Sequence, residues 1–170
     1  MQTRPVFAAA VISLAALAAA TAESPNDITV PGGTLVATVH AVGSQVYECK
    51  ADPAVGTLTW QFREPVATLF IAGKTVGRHF AGPSWELVDG SSVQGKVIAR
   101  APAASDKDIP WLKLSVSARR GEGRLSDVSI IQRINTRGGV AEGICNEAGA
   151  FLSVPYSADY TFFNKTNAQQ

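Results

Sequence analysis

The residues whose types and spacing best suit catalysis lie between positions 77 and 92, in the stretch GRHFAGPSWELVDGSS. His79 could act as a general base if a carboxylate oriented it and a hydroxyl group lay beside it. Asp89 and Glu86 are the candidate carboxylates, and the serines of the same stretch supply hydroxyl groups. This combination would suit a hydrolase, although the stretch lacks the GxSxG turn that presents a strained nucleophile.

The same stretch also has a purely structural interpretation. Gly82 and Pro83 are typical of a turn, and Asp89 with Gly90 is typical of a hairpin. Trp85 would then pack against the rest of the protein or stack on another ring. Sequence proximity does not decide between the two interpretations, because the members of a catalytic triad usually come from separate elements.

Neither a metal nor a cofactor is predicted. His40 and His79 are 39 positions apart with no second histidine one helical turn away, and no DxDxDG loop occurs. The nearest approach to a dinucleotide-binding motif is GEGRLS at 121, which lacks the third glycine and leads into a strand-like run.

Aromatic rings and polar side chains that could bind a ligand occur together at several places. Rings can cover the apolar face of a sugar or small acid, while the forked donor of Arg133 could hold hydroxyl groups or a carboxylate. The alternative is structural, with Arg133 paired to Asp159 or Asp89 at the edge of a sheet. The candidate ligand-binding residues are His79, Trp85, Asp89, Trp111, Arg133, Asn135, Tyr156 and Asp159.

The elements that must position these residues have a period of two. In TLTWQFR, at 57–63, apolar and polar side chains alternate, and WLKLSVSA at 111–118 places Leu112 and Leu114 opposite Trp111 and Lys113. Turn signals recur at 31, 72, 81, 89, 119 and 137, and no helical stripe is evident. The pattern predicts an all-β fold, an antiparallel sandwich or barrel.

The first residues predict export. MQTRPVFAAAVISLAALAAATA has a basic start at Arg4, an apolar run too short for a membrane span, and small residues at Ala20 and Ala22. We therefore expect a signal peptide at 1–22, a single β domain at 23–164 and a frayed tail at 165–170. The destination would be the periplasm or the extracellular space.

Removal of Arg4 would leave equal numbers of basic and acidic side chains, 14 of each. Basic residues occur at most in pairs, so nucleic acid is not an expected partner. In a eukaryotic host, NKT at 164–166 would make Asn164 a glycosylation acceptor.

Cys49 and Cys145 both lie in the predicted exported part. Two cysteines in an oxidising compartment favour one disulfide, which here would connect an early strand to a late loop. The rival interpretation is a reactive thiol or metal pair, which would ordinarily show a CxxC motif or a neighbouring histidine.

Six sequence blocks in this order are similar to a family of exported proteins described as domain of unknown function 3455. The blocks are QVYEC at 45, WQF with EPVATL from 60, GKTVGRHFAGPSWELVDGSSVQGK at 73, IPWLKL at 109, IQRINTRGGVAEGIC at 131 and VPYSADYTFF at 154. The resemblance implies export, and it assigns no catalytic or ligand-binding residue.

Three functional hypotheses remain from the sequence. The first is a non-enzymatic binding module for a small molecule, a glycan or a protein. The second is an exported hydrolase that uses His79 with Asp89 or Glu86. The third is a structural envelope or wall protein, which would need no ligand-sized cavity.

Overall fold

The computed structural model describes residues 25–164. The predicted signal peptide at 1–22 and the predicted tail at 165–170 lie outside the described residues. A short 3-10 turn, Pro25–Ile28, precedes eight strands. The strands are β1 (Thr34–Ala51), β2 (Leu58–Ile71), β3 (Lys74–Phe80), β4 (Ser84–Leu87), β5 (Ser92–Ala101), β6 (Trp111–Arg120), β7 (Ile130–Gly138) and β8 (Phe151–Asn164).

The strands form a closed antiparallel barrel in which each strand pairs with the next along the chain. The ring closes where β1 pairs with β8, from Thr34 opposite Asn164 to Glu48 opposite Phe151. The predicted all-β antiparallel fold is therefore confirmed. Of the two architectures considered, the chain adopts the barrel.

The first strand is longer than the sequence pattern predicts. The pattern indicates two separate strands, TLVATVHAV at 34–42 and a second at 45–50, whereas the chain forms one strand, β1, with a register shift between Val46 and Tyr47. At Gly43, where the pattern breaks, a Cβ atom would lie 2.1 Å from the Val66 carbonyl oxygen. Glycine thus allows β1 and β2 to approach closely at this point, and the strand continues through it.

The interior combines small and large side chains. Alanines on β1, β2 and β8 occupy the inner face at 37, 41, 67 and 158, where they leave room for larger rings. Trp85, Tyr160 and Phe162 fill this room and are almost fully buried. Such complementarity between small and large side chains is how a barrel of this size fills its interior.

The two ends of the barrel differ. Because consecutive strands alternate in direction, the connections at 72–73, 88–91 and 121–129 lie at one end, and those at 52–57, 81–83, 102–110 and 139–150 lie at the other. Leu125 and Val128, from the connection between β6 and β7, are fully buried in the core. They close the first end, which we call the closed end, and we call the other end the mouth.

The disulfide between Cys49 and Cys145 is present, as predicted. It joins the C-terminal end of β1 to the long connection between β7 and β8 at the mouth. Two backbone hydrogen bonds support the same contact, from Cys49 N to the Ala150 oxygen and from Gly149 N to the Cys49 oxygen, both at 2.9 Å. The connection is thus fastened to the rim of the mouth.

Candidate functional site

The mouth opens into a cavity of about 550 Å³. Its walls are largely apolar, because the inner faces of β5 and β6 supply Val97, Leu112 and Leu114, and Ile109 and Pro65 complete them. A concave, mostly apolar cavity with a few polar groups is the usual form of a small-molecule site. The alternation in WLKLSVSA predicted the inward face of β6 correctly.

His79 and Trp85 lie next to each other in this cavity because β3 and β4 pair them directly. Their rings stack with centroids 4.5 Å apart and an interplanar angle of 10°. The Tyr160 ring lies against both, 4.9 Å from His79 and 5.1 Å from Trp85 between centroids. Gly95 makes the arrangement possible, since a Cβ there would come within 3.2 Å of the Trp85 ring.

His79 is a neutral imidazole in the folded protein. Only 3% of the residue is exposed, and burial lowers the pKa of His79 to about 3, although the Ser84 carbonyl opposes this shift. Because a carbonyl can only accept, the Nδ1 hydrogen donates to the Ser84 oxygen at 2.8 Å. The Nε2 atom is therefore the unprotonated nitrogen of the ring.

Trp85 brings an unsatisfied donor to the cavity. Its indole nitrogen is buried and has no hydrogen-bond partner among residues 25–164. The same is true of the Gln45 side-chain nitrogen, although this amide lies near the Tyr156 hydroxyl group. A buried donor without a partner costs about 1–3 kcal/mol, so a ligand that accepts a hydrogen bond from it would gain affinity.

Arg133 enters the cavity from β7. Ile131 and Arg133 share the inner face of this strand. The alternation in VSIIQRIN, at 128–135, predicts the opposite, because it groups Val128, Ile130 and Ile134 on the apolar face. The guanidinium donates from Nε and Nη2 to the Pro110 oxygen, at 3.1 and 2.8 Å. Burial lowers the pKa of Arg133, an effect that the neighbouring tyrosine hydroxyl groups oppose. Neither predicted ion pair of Arg133, with Asp159 or with Asp89, is formed.

Tyr156 lies inside the barrel next to the cavity without lining it. Its hydroxyl oxygen is 3.5 Å from that of Tyr160, and both residues are buried. Burial raises the pKa of each hydroxyl group, so both tyrosines are neutral. At the rim, the Tyr47 hydroxyl donates to the Gly139 oxygen at 2.6 Å.

Asp89 belongs to the closed end and does not line the cavity. The Ser91 hydroxyl donates to Asp89 Oδ1 at 2.6 Å and the Arg124 backbone N–H donates to Oδ2 at 2.9 Å. These hydrogen bonds, the Ser91 hydroxyl first, hold the pKa of Asp89 below its usual value. Asp89 thus fastens the loop that carries Leu125 to the hairpin between β4 and β5.

Three other candidate residues lie on the outer surface of the barrel. Trp111 precedes the inward Leu112 and does not line the cavity, so its side chain lies on the outer face, where its indole nitrogen is buried and has no hydrogen-bond partner among residues 25–164. Asn135 has a positive φ of 51° beside a register shift in β7, and its amide donates to Asp159 Oδ2 at 2.9 Å. His40 contacts the other oxygen of Asp159 at 2.8 Å. The chain therefore brings His79, Trp85 and Arg133 together in the cavity and keeps the other candidates apart from it.

Sequence reasoning missed Arg100, Arg63, Gln45 and Phe62 as lining residues. Arg100 is the penultimate residue of β5 and gives no signal in the sequence beyond its charge. Gln45 follows Ser44, and two adjacent polar residues suggest an exposed segment. Gln45 is nevertheless only 2% exposed, because it faces the interior from β1.

The hydrolase geometry is not assembled. Glu86 pairs with Arg78 at 3.1 Å on the outer side of the barrel, and Asp89 lies at the closed end. His79 contacts the backbone carbonyl of Ser84, which can only accept, so this contact cannot activate a hydroxyl group. Within residues 25–164, no Asp or Glu side chain lines the cavity. Among the described residues, no group of three or more potential metal ligands exists.

An antiparallel barrel with a ligand-sized cavity at one end is the class of protein that this fold and site define. Residues 30–164 match the family described as protein of unknown function (DUF3455), and the chain belongs to that family. No curated protein and no solved structure matches the chain.

Proposed function

We propose that this chain is an exported protein that binds a small molecule in the mouth of its barrel. The observation that carries the proposal is the cavity of about 550 Å³ with apolar walls, a stacked ring pair and two buried donors, on Trp85 and Gln45, that have no hydrogen-bond partner among the described residues. The hypothesis of a purely structural protein offers no reason for such a cavity. The hydrolase hypothesis finds no observation in its favour.

Export is supported by the predicted signal peptide and by the disulfide, since disulfides persist in oxidising compartments. Within residues 25–164, no helix has the length and apolarity needed to cross a bilayer.

Binding can be tested with N-phenyl-1-naphthylamine, a neutral dye whose fluorescence rises in apolar surroundings. We expect saturable binding to the wild-type protein and its loss in Val97→Trp, which fills the cavity from β5. Val42→Trp is the matched control, because Val42 is exposed on the outer face of β1. The proposal fails if the dye does not bind, or if both variants bind it as the wild type does.

A further inference from the structure

Three arginines line the cavity, and they differ in how their charges are balanced. Arg63 lies within 3.1 Å of Glu64 and 3.5 Å of Glu48, so acids of the protein neutralise it. Arg100 makes no hydrogen bond or ion pair with any residue between 25 and 164, and Arg133 bonds only neutral oxygen. Two cations at the cavity therefore lack a counter-charge in that part of the chain.

The two unbalanced cations lie close enough to affect each other. The charge of Arg100 contributes to the lowered pKa of Arg133, after the larger effect of burial. Leu112 pairs with Arg100 on one side and with Arg133 on the other, so the two arginines flank the same inward leucine. Arg133 is partly buried and Arg100 is exposed. A buried charge is normally paired, because removing it from water without a partner is unfavourable. Here the protein places like charges together at the cavity, and a bound anion would relieve both the burial and the repulsion.

The free hydrogen-bonding atoms agree with this electrostatic argument. Arg133 uses Nε and Nη2 on a single carbonyl oxygen, and its other polar neighbour, the Tyr160 hydroxyl group, is neutral. The five N–H groups of the guanidinium therefore include some that a ligand can engage. The Trp85 indole can only donate, and its N–H is unpartnered. A ligand that satisfies these groups must bring acceptors. A carboxylate brings acceptors alone, whereas each hydroxyl group of a neutral sugar also brings a donor that needs a partner.

We propose that the ligand is a carboxylic acid with an apolar body, bound as its anion with the carboxylate at Arg133 and Arg100 and the body against the wall formed by Val97, Leu112 and Leu114. This inference rests on the proposed function, because it names the chemical class of the ligand that the mouth receives. Arg133 presents the flat fork that recognises a carboxylate through charge-assisted hydrogen bonds.

The test compares 1-naphthaleneacetate with 1-naphthaleneacetamide, which has almost the same shape and no charge. Both are titrated calorimetrically near neutral pH and used to displace N-phenyl-1-naphthylamine. We expect the wild-type protein to bind the acetate about tenfold or more tightly than the amide. Added salt should narrow that preference, because it screens the charges.

Arg100→Gln and Arg133→Gln should each reduce the preference for the acetate and leave the affinity for the amide nearly unchanged. Arg137→Gln is the matched control, since Arg137 is an exposed residue of the same strand as Arg133 and does not line the cavity. Loss of the Pro110 contact could unfold Arg133→Gln, which circular dichroism would show. Arg100→Gln removes no side-chain hydrogen bond or ion pair within residues 25–164 and carries the test in that case.

The outcomes separate the two proposals. Equal affinities for acetate and amide in a protein that binds the neutral dye would overturn the carboxylate and leave the binding function intact. An acetate preference that Arg100→Gln and Arg137→Gln retain alike would also overturn it. If neither naphthalene compound nor the dye binds, the proposed function itself is wrong.

Discussion

Mild acid should destabilise this protein through His79. The imidazole is buried and neutral in the fold, with a pKa lowered to about 3 from its ordinary value of 6.5. The unfolded chain takes up a proton at this residue as the pH falls below 6.5, and the folded chain does not. The free energy of unfolding therefore is highest above pH 6.5 and declines as the pH falls toward about 3.

The size of the effect follows from those two pKa values. Between pH 7 and pH 5, the unfolded state passes from mostly neutral to almost fully protonated at His79, while the folded state stays neutral. Linkage then gives a loss of about 2 kcal/mol over this interval. Most carboxylates titrate at lower pH, so their contribution over the same interval is small.

The assay is urea unfolding at pH 7 and pH 5, followed by circular dichroism. His79→Phe keeps a ring against Trp85 and removes the titrating group, so it should lose about 2 kcal/mol less than the wild type between the two pH values. His40→Gln is the matched control, because His40 is an exposed histidine on the outer face. The reasoning is refuted if His79→Phe and the wild type lose stability equally.

Three further changes test other parts of the fold by urea unfolding. Replacing Cys49 and Cys145 together by alanine should retain the barrel and lower its stability by as much as about 4.7 kcal/mol, because the disulfide closes a loop with a sequence separation of 96; a loss below about 1 kcal/mol would contradict this estimate. Asp89→Ala should lower stability at neutral pH and leave dye binding unchanged, since Asp89 lies at the closed end; altered binding would disprove that separation. Gly43→Ala should cost about 1–3 kcal/mol through its contact with β2, and a neutral result would contradict the close approach there.

The sequence predicted the strands and turns where local chemistry decides them. Ala72 and Gly73 both have positive φ in the hairpin between β2 and β3, and the AGK signal identified that turn. Closure of the barrel could not be predicted in the same way. It depends on pairing Thr34 with Asn164, a contact between the two ends of the β domain that no local pattern encodes.

The site was predictable only in part for a related reason. His79 and Trp85 pair across a short hairpin, so their proximity in sequence translates into proximity in space. Arg133 faces the interior, although the alternation of the apolar residues around it predicts that it faces outward. The core contains Ile131 and not Ile130, and Arg133 lies on the same face of the strand as Ile131. The sequence makes Asp89 as good a candidate for the site as His79, yet the turn that follows β4 places Asp89 at the other end of the barrel.

The barrel wall has a short stretch of strand pairing at β4. This strand has four residues and is held to β5 only from Ser84 opposite Gln94 to Glu86 opposite Ser92, whereas β1 and β8 pair along most of their length. Thermal opening of the ring is therefore cheapest beside Trp85, where few ladder bonds must break. Local opening is therefore expected at the cavity wall formed by β4, while the long pairing of β1 with β8 keeps the barrel closed on the opposite side.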